Sequence, residues 1–426
     1  MDKKKVLIVT YYWPPAGGPG VQRWLKFVKY LPEFNIEPIV YVPDNPNYPI
    51  EDESLQLDVS DKLTILKQPI KEPYKLAGLF SKKTSLTISK GIIPEVKRQS
   101  IIEKLMLFVR GNFFIPDARN AWVKPSVRFL LKYLEEHNIK TVITTGPPHS
   151  LHLIGLQLKE QLGLQWIADF RDPWTSIGYH KQLKLMKRAE RRHKKLEFKV
   201  LNTADQVVVT SFVTKKEFKA LTSQPIEVIT NGYDVEVVGE TVLDVKFTLA
   251  HIGSLLSKRN PEVLWRVLSD LVDENEQFAG DFRLNLVGYV SDDVLKEINK
   301  YGLIGYINEV GYVSHNESIK YQRQSQILLL IEIDSEDTKC IIPGKLFEYM
   351  VSNRPIIALG PKGSDVESIL KETNTGTYFY YDAYSILKTA ILDHYEAYRE
   401  GNLQPYPIGL QKYSRKALTE SLSKLL

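Results

Sequence analysis

Short, continuously apolar runs alternate along the whole chain with stretches whose apolar residues recur at helical spacing. In the first half the runs fall near 6–11, 37–42, 141–144, 165–169, 206–210 and 227–229; in the second, near 247–252, 283–286, 307–310, 327–331, 355–359 and 378. A strand that shows one face to water alternates apolar and polar residues, whereas a run that is apolar throughout predicts a strand covered on both faces. Such strands interleaved with helices predict α/β architecture with doubly wound parallel sheets. At 426 residues the chain exceeds what one core supports, so two domains of about 200 residues each are expected, with a linker near 235–246.

The alternation lapses between Pro43 and Pro116. Apolar stretches at 74–80 and 101–114, with Lys82, Lys83, Lys90, Lys97 and Arg98 between them, read as an insertion outside the sheet. A helix is expected from Val21 to about Leu31, and a last one from Lys412 to Leu426 after the turn Gln404-Pro405-Tyr406-Pro407.

Composition narrows the class. Hydrophobic content of 43% and charged content of 25% are those of an ordinary globular protein. One Cys excludes an intramolecular disulfide framework; with no secretory signal after Met1, a reducing cytoplasm is expected. No run approaches the ~20 apolar residues of a membrane-spanning helix. A net charge of +5 demands no nucleic-acid partner. Local charge says more, because the stretch from Lys181 to Lys199 carries nine basic residues against Glu190 and Glu197. Read as one helix with Leu183, Met186, Ala189, Leu196 and Val200 as its apolar stripe, it suits an anionic membrane surface or a lipid-linked diphosphate acceptor. The other reading is the solvated basic face of a core helix.

The most informative chemistry lies between the runs at 327–333 and 355–359. Gly344 opens a short helix on which Lys345 and Glu348, three residues apart, share a face. Parallel sheets place ligand sites at such strand ends. Lys345 with the free N–H groups of the helix start suits a diphosphate, and Glu348 can accept from two vicinal ribose hydroxyls; the plain alternative is a solvated helix face. Gly253 ends another strand, and Lys258 and Arg259 precede a helix, Arg259 offering a bidentate fork. Between the first strand and first helix, Gly17, Gly18 and Gly20 let backbone approach an anion, but they do not fit Gly-x-Gly-x-x-Gly. His149 follows Gly146-Pro147-Pro148 at a further strand end, where His149 and Ser150 also read as caps of the next helix. Asp169, Arg171 and Asp172 follow another, as ligand contacts or as an ion-pair network. Zinc-ligand spacing, a strand-end Asp-x-Asp, Gly-x-Ser-x-Gly and the Walker loop are all missing from the sequence. Charge stabilisation by Lys345, Arg259 and helix N-termini is the simplest chemistry left, with no metal and no cofactor.

Six landmarks in order are Gly17-Gly18, Thr145-Gly146-Pro147-Pro148-His149-Ser150, Asp169-Phe170-Arg171-Asp172-Pro173-Trp174, Thr230-Asn231-Gly232-Tyr233-Asp234, His251-Ile252-Gly253-Ser254 and the block from Pro343 to Pro355. Over nearly the whole chain they resemble the retaining GT-B glycosyltransferases of family four. The resemblance implies two Rossmann-like domains facing a central cleft. The first would be 1–235 plus a returning C-terminal helix, 411–426, with an insertion at 43–118 on the acceptor and membrane side. The second, 236–410, would bind the nucleotide sugar. It also implies transfer of a hexosyl or N-acetylhexosaminyl group from a nucleotide diphosphate-sugar to a glycan or lipid-linked acceptor, in cell-surface polysaccharide biosynthesis. Retention at the anomeric carbon and a place on the inner face of the membrane follow from it too. Catalysis would fall to His149, Lys345 and Arg259, and donor binding to Gly17, Gly18, Gly253, Lys258, Arg259, Gly344, Lys345, Leu346 and Glu348. Asp169, Arg171 and Asp172 would face the acceptor. Two positions depart from the family pattern: Cys340 stands where a Glu often precedes Glu348 by eight residues, and Ser254 where an Arg often follows Gly253. Other readings are a GT-B sugar-nucleotide epimerase, which would need no acceptor, and a catalytically inactive glycan-binding or scaffold protein. Gly17, Gly18, Arg259, Lys345 and Glu348 argue against inactivity.

Overall fold

The computed structural model describes residues 3–48, 50–72, 101–234 and 241–426. The chain divides into two compact units, Met1–Thr230 with Arg415–Leu426, and Asn231–Ser414. The sequence boundaries, 235/236 and 410/411, lie within five residues of these.

The first unit is a parallel sheet of seven strands in the order β3-β2-β1-β4-β5-β6-β7. The strands are β1 (Lys4–Val9), β2 (Ile36–Pro43), β3 (Thr64–Gln68), β4 (Thr141–Gly146), β5 (Gln165–Phe170), β6 (Gln206–Val209) and β7 (Ile226–Val228). The apolar runs have a direct cause in β1: Leu7 and Val9 join the core on one face of the sheet, while Val6 and Ile8 join the core on the other. Each such side chain contributes about 1.5–3 kcal/mol on burial. The helix Arg415–Ser423 completes the second of these cores with Leu418 and Leu422.

The second unit is a six-stranded sheet in the order β10-β9-β8-β11-β12-β13. Its strands are β8 (Phe247–Ile252), β9 (Phe282–Val287), β10 (Ile307–Gly311), β11 (Ile327–Ile331), β12 (Ile356–Leu359) and β13 (Gly376–Phe379), all parallel. In each sheet the strand order reverses at one place, between β1 and β4 in the first and between β8 and β11 in the second. Loops leaving the carboxyl ends of those strands diverge there, and ligands bind in the resulting crevice.

Two expectations are corrected. The stretch 43–118 is not wholly outside the sheet, because β3 pairs with β2 as its edge strand. Its residues Thr-Ile-Leu-Lys-Gln are nowhere fully buried, so they leave no continuous apolar run. The same stretch contains the helix Ile101–Phe113. The apolar segment at 74–80, the basic residues Lys82, Lys83, Lys90, Lys97 and Arg98, and the linker residues 235–240 lie outside the described residues. The basic stretch is likewise not one helix. A short helix, Gly178–Lys181, is followed by a break, and Lys187–Thr203 starts anew. The Asn112 side chain pins that break, accepting from the Met186 N–H at 2.7 Å and donating to the Lys184 carbonyl at 3.4 Å. Seven of the nine basic residues lie on the longer helix, whose buried side is Ala189, His193, Glu197, Val200 and Leu201.

Candidate active site

In the second unit the loops leaving β8 and β11 bring Gly253, Arg259 and Lys345 together. The helix Lys345–Met350 is seated by Leu346, Phe347, Tyr349 and Met350, all buried against the β8, β11 and β12 side chains. That seating turns Lys345 back toward the end of β8, where its Nζ donates to the Ile252 carbonyl at 2.5 Å. Gly253 has φ +110°, and a Cβ there would lie 2.9 Å from the Lys345 Nζ, so the close approach requires glycine. Burial, reinforced by the charge of Arg259 and opposed by Glu348, lowers the Lys345 ammonium to about 7.

Arg259, on the one-turn helix Ser257–Arg259, has no ion pair or side-chain hydrogen bond among the described residues, and its Nε is buried without a partner. Burial lowers its pKa, against the pull of Tyr381 and Glu332. An unpaired guanidinium near a desolvated ammonium is chemically suited to receive an anion. Glu348 lies on the same short helix; Gln322 Nε2 donates to its Oε2 at 2.9 Å, and His315 Nε2 lies 4.0 Å from its Oε1. Lys258 is exposed. Leu346 is a correction: its side chain is fully buried in the core and its N–H is spent on the Pro343 carbonyl at 3.0 Å, so it presents neither to a ligand. Gly344 and Lys345 N–H groups carry no hydrogen bond among the described residues.

In the first unit the reversal between β1 and β4 gathers the glycine loop, His149 and Arg171. Gly18, with φ +103°, precedes the helix Pro19–Tyr30 and has open space where a Cβ would be. Gly17 is tied down instead, its N–H bonded to the Ile50 carbonyl at 2.9 Å, so that amide does not serve an anion. His149 is 6% exposed and stacks on Trp174, ring centroids 4.8 Å apart at 2°. Neither of its ring nitrogens has a partner, and burial, aided by His152, His180 and Arg171, holds it well below the usual imidazole range. It does not cap the following helix. Asp117, 33 residues away, does so by accepting from the Ser150 N–H and Oγ, each at 2.8 Å. A neutral, buried, unsatisfied imidazole at a strand end is suited to hydrogen-bond a sugar hydroxyl.

Arg171 lies against Gly20, where a Cβ would collide with its Nη1; its Nη2 donates to the Pro147 carbonyl and its Nε is buried without a partner. Asp172 is half-buried, which raises its carboxyl pKa against the lowering effect of Arg171. Asp169 is a correction to the acceptor-side reading. It is 1% exposed, and its oxygens take Arg23 Nη2 at 2.9 Å, Trp24 Nε1 at 3.0 Å and Thr145 Oγ1 at 2.7 Å. It has no face left for a ligand, and its ion-pair partner is Arg23 rather than Arg171. The sequence missed Arg23, Asp117, Trp174 and Gln322, each distant along the chain from the residue it supports. It also passed over Glu332, a buried carboxyl just after β11 whose one signal was a charge inside the apolar run 327–333.

Among the described residues no group of three His, Cys, Asp or Glu is placed to hold a metal ion, and no helix is long and apolar enough to cross a membrane. Residues 93–237 match the family model of Glycosyltransferase Family 4. No curated protein matches the chain. Among solved structures it is similar to sucrose-phosphate synthase from Thermosynechococcus elongatus, at 14% identity over 99% of this chain and 98% of that one, with a TM-score of 0.57. It is similar to Anabaena HepE in complex with UDP-glucose, at 11% identity over 99% and 98%, TM-score 0.57. It is also similar to the lipopolysaccharide outer core galactosyltransferase WaaB, apo form, at 14% identity over 99% and 98%, TM-score 0.59. At these identities the likeness is one of fold, and the fold is the GT-B class of two parallel-sheet Rossmann-like units.

Proposed function

We propose that the chain is a glycosyltransferase that moves a sugar from a nucleotide diphosphate donor to a glycan or lipid-linked acceptor, with retention at the anomeric carbon. The observation that carries this reading is the unpaired Arg259 guanidinium next to the desolvated Lys345, at the strand-order reversal of the second unit. Lys345 and Arg259 hold the diphosphate, Glu348 the ribose, and Gly253, having no Cβ, leaves room for the Lys345 ammonium. As the glycosidic bond of the donor breaks, negative charge grows on the departing diphosphate, and fixed cations stabilise it without a metal or cofactor. His149 hydrogen-bonds the transferred sugar, a hexosyl or N-acetylhexosaminyl group. Arg171 and Asp172 remain the acceptor-side candidates. The match of residues 93–237 to a glycosyltransferase family model supports the reaction class.

The work of such an enzyme belongs to cell-surface polysaccharide synthesis, on the inner face of a membrane. Two helices that touch one another support a peripheral surface contact. Ile101–Phe113 exposes Leu105, Val109 and Phe113, at 60%, 36% and 69%, in a single i, i+4, i+8 stripe. Lys187–Thr203 exposes its basic side chains. An apolar stripe beside cations suits an anionic lipid interface.

A thermal-shift screen of nucleotide sugars on the full chain, followed by assay of sugar release, tests the reaction. A donor present at about 100 times its dissociation constant adds about 2.7 kcal/mol of stability. If no nucleotide sugar stabilises the chain and none is cleaved, the proposal fails.

A further inference from the structure

Neither ring nitrogen of His149 has a hydrogen-bond partner among the described residues, so no polar contact fixes the angle of its ring. Packing does so instead. The Trp174 indole lies against it with centroids 4.8 Å apart and planes 2° from parallel. At the end of β4 a Cβ on Gly146 would stand 3.1 Å from the His149 Nδ1, which limits the ring a second time. What orients Trp174 therefore orients His149.

Trp174 is 1% exposed and is held by the helix Lys187–Thr203 at two points. Glu197 grips its main chain: Oε1 accepts from the N–H groups of Trp174 and Thr175 at 3.2 and 3.0 Å, and Oε2 accepts from the Thr175 hydroxyl at 2.5 Å. His193, one turn earlier on the same helix, grips its ring. The indole Nε1 donates to the His193 Nδ1 at 3.2 Å, and the His193 Nε2 lies 3.3 Å from the Gly111 carbonyl oxygen. An indole N–H can only donate and a carbonyl can only accept. The neutral imidazole with its proton on Nε2 is the one form that satisfies both. Burial favours that neutral form, against the Gly111 carbonyl and Asp117. His180 packs edge-on to the same ring, with centroids 4.7 Å apart at 82°.

The far anchor of this chain of contacts is fixed as well. Gly111 belongs to the helix Ile101–Phe113, and a Cβ there would meet Leu183 and Leu185 at 2.8 and 2.7 Å. The helix thus runs close against the break before Lys187, which its neighbour Asn112 pins.

We propose that His193 is a positioning residue for sugar transfer: by donating to the Gly111 carbonyl and accepting from the Trp174 indole, it sets the plane on which His149 is stacked and hence the direction in which His149 meets a sugar hydroxyl. This rests on the reading of His149 as the contact to the transferred sugar. His193 touches no substrate and passes no proton.

The full chain is assayed for nucleoside diphosphate release from UDP-glucose, UDP-galactose, UDP-N-acetylglucosamine and GDP-mannose, and variants are compared on the donor that is cleaved. His193→Phe keeps an aromatic ring beside His180 and loses both hydrogen bonds; kcat is expected to fall about tenfold or more, with KM for the donor unchanged. His193→Asn offers its Oδ1 to the indole N–H in place of Nδ1 and should recover most of that rate, although it too has lost the bond to Gly111. In a His149→Ala background, His193→Phe should cost no further rate, because the group it positions is gone. Trp174→Phe removes the indole N–H from the other side and should behave as His193→Phe does, including in the His149→Ala background, so the comparison survives if His193→Phe fails to fold. Wild-type kcat in His193→Phe or Trp174→Phe, an Asn variant as slow as the Phe variant, or losses that multiply with His149→Ala would each overturn the inference and leave His149 standing. A His149→Ala chain that works at the wild-type rate, or no donor cleaved by wild type, overturns the reading of His149 and this inference with it.

Discussion

The Nζ of Lys345 donates to the carbonyl oxygen of Ile252 at 2.5 Å, across 93 residues of chain, and its ammonium is thereby held in place before any ligand arrives. Holding it there costs folding stability, because burial lowers the group from 10.5 to about 7. The folded pKa lies below the unfolded one, so between these values the unfolded chain binds more protons. Stability therefore rises with pH across that window, and below it the penalty is fully present. The difference in denaturation midpoint between wild type and Lys345→Ala should shrink from about pH 7 to pH 10 as wild type gains. A difference that stays constant over that range would show that Lys345 is not desolvated.

The same geometry separates the roles of Lys345 and Glu348 in binding. Lys345→Ala should weaken nucleoside diphosphates by roughly 1.5–3 kcal/mol and leave the nucleoside unchanged, the scale of a hydrogen bond to a charged group. Glu348→Gln, with its neighbour Gln322 still in place, should weaken nucleoside and diphosphate alike. Titration calorimetry with both ligand types decides, and equal affinities in all three proteins would remove the assignment.

Gly253→Ala tests the backbone beside that lysine. With φ +110° and a Cβ that would stand 2.9 Å from Nζ, the substitution combines strain with displacement of the ammonium. A cost of about 1–3 kcal/mol in stability, together with weaker diphosphate binding, is expected. Gly18→Ala carries comparable backbone strain, with φ +103°, but meets nothing within 4 Å, so it should cost stability alone in the absence of ligand. Chemical denaturation and diphosphate titration of the two variants side by side separate strain from displacement.

Most of the sheet was legible because a strand buried on both faces has no polar residue to hide, as β1, β8 and β11 illustrate. Edge strand β3 was not, since its side chains are partly wet and its apolar signal is diluted. Lys345, Arg259 and Glu348 could be singled out as candidates because charged residues at strand ends stand out locally. The long-range supports of the first unit could not: Asp117 caps a helix 33 residues away, and Arg23 pairs with Asp169 across 146. Such partners are set by which strands neighbour one another, a property of topology that spacing along the chain does not carry. The break before Lys187 escaped for the same reason, being held by Asn112 from another helix.

Asp169 is expected to matter for stability rather than for acceptor choice. Asp169→Asn strands the buried Arg23 guanidinium, whose other hydrogen bond goes to the Thr230 carbonyl at 2.8 Å. Loss of one partner of a buried pair costs about 3–5 kcal/mol. Urea denaturation should show that loss in Asp169→Asn, and a double variant with Arg23→Met should lose less than the sum of the two. Simple additivity would mean that the pair is not coupled.

The final prediction concerns the surface formed by Ile101–Phe113 and Lys187–Thr203. Lys187, Arg191 and Lys195 recur every four residues and all three are exposed, whereas Lys184 sits in the preceding break with φ +49°. Each cation close to an anionic bilayer contributes about 1 kcal/mol, screened within a Debye length of ~10 Å at 0.1 M salt. Vesicles containing phosphatidylserine should therefore bind the chain at low salt and release it steeply as salt rises. Reversing Lys187, Arg191 and Lys195 to Glu should abolish binding. Exchanging the exposed Leu105 and Phe113 for Ser should weaken it in a way that salt does not mimic, because that contribution is burial of apolar surface. Hydrolysis of a soluble donor should be unchanged in both variants, since these residues belong to the first unit and Lys345 and Arg259 to the second. Vesicle binding that survives the charge reversal would leave the basic helix a solvated face and nothing more.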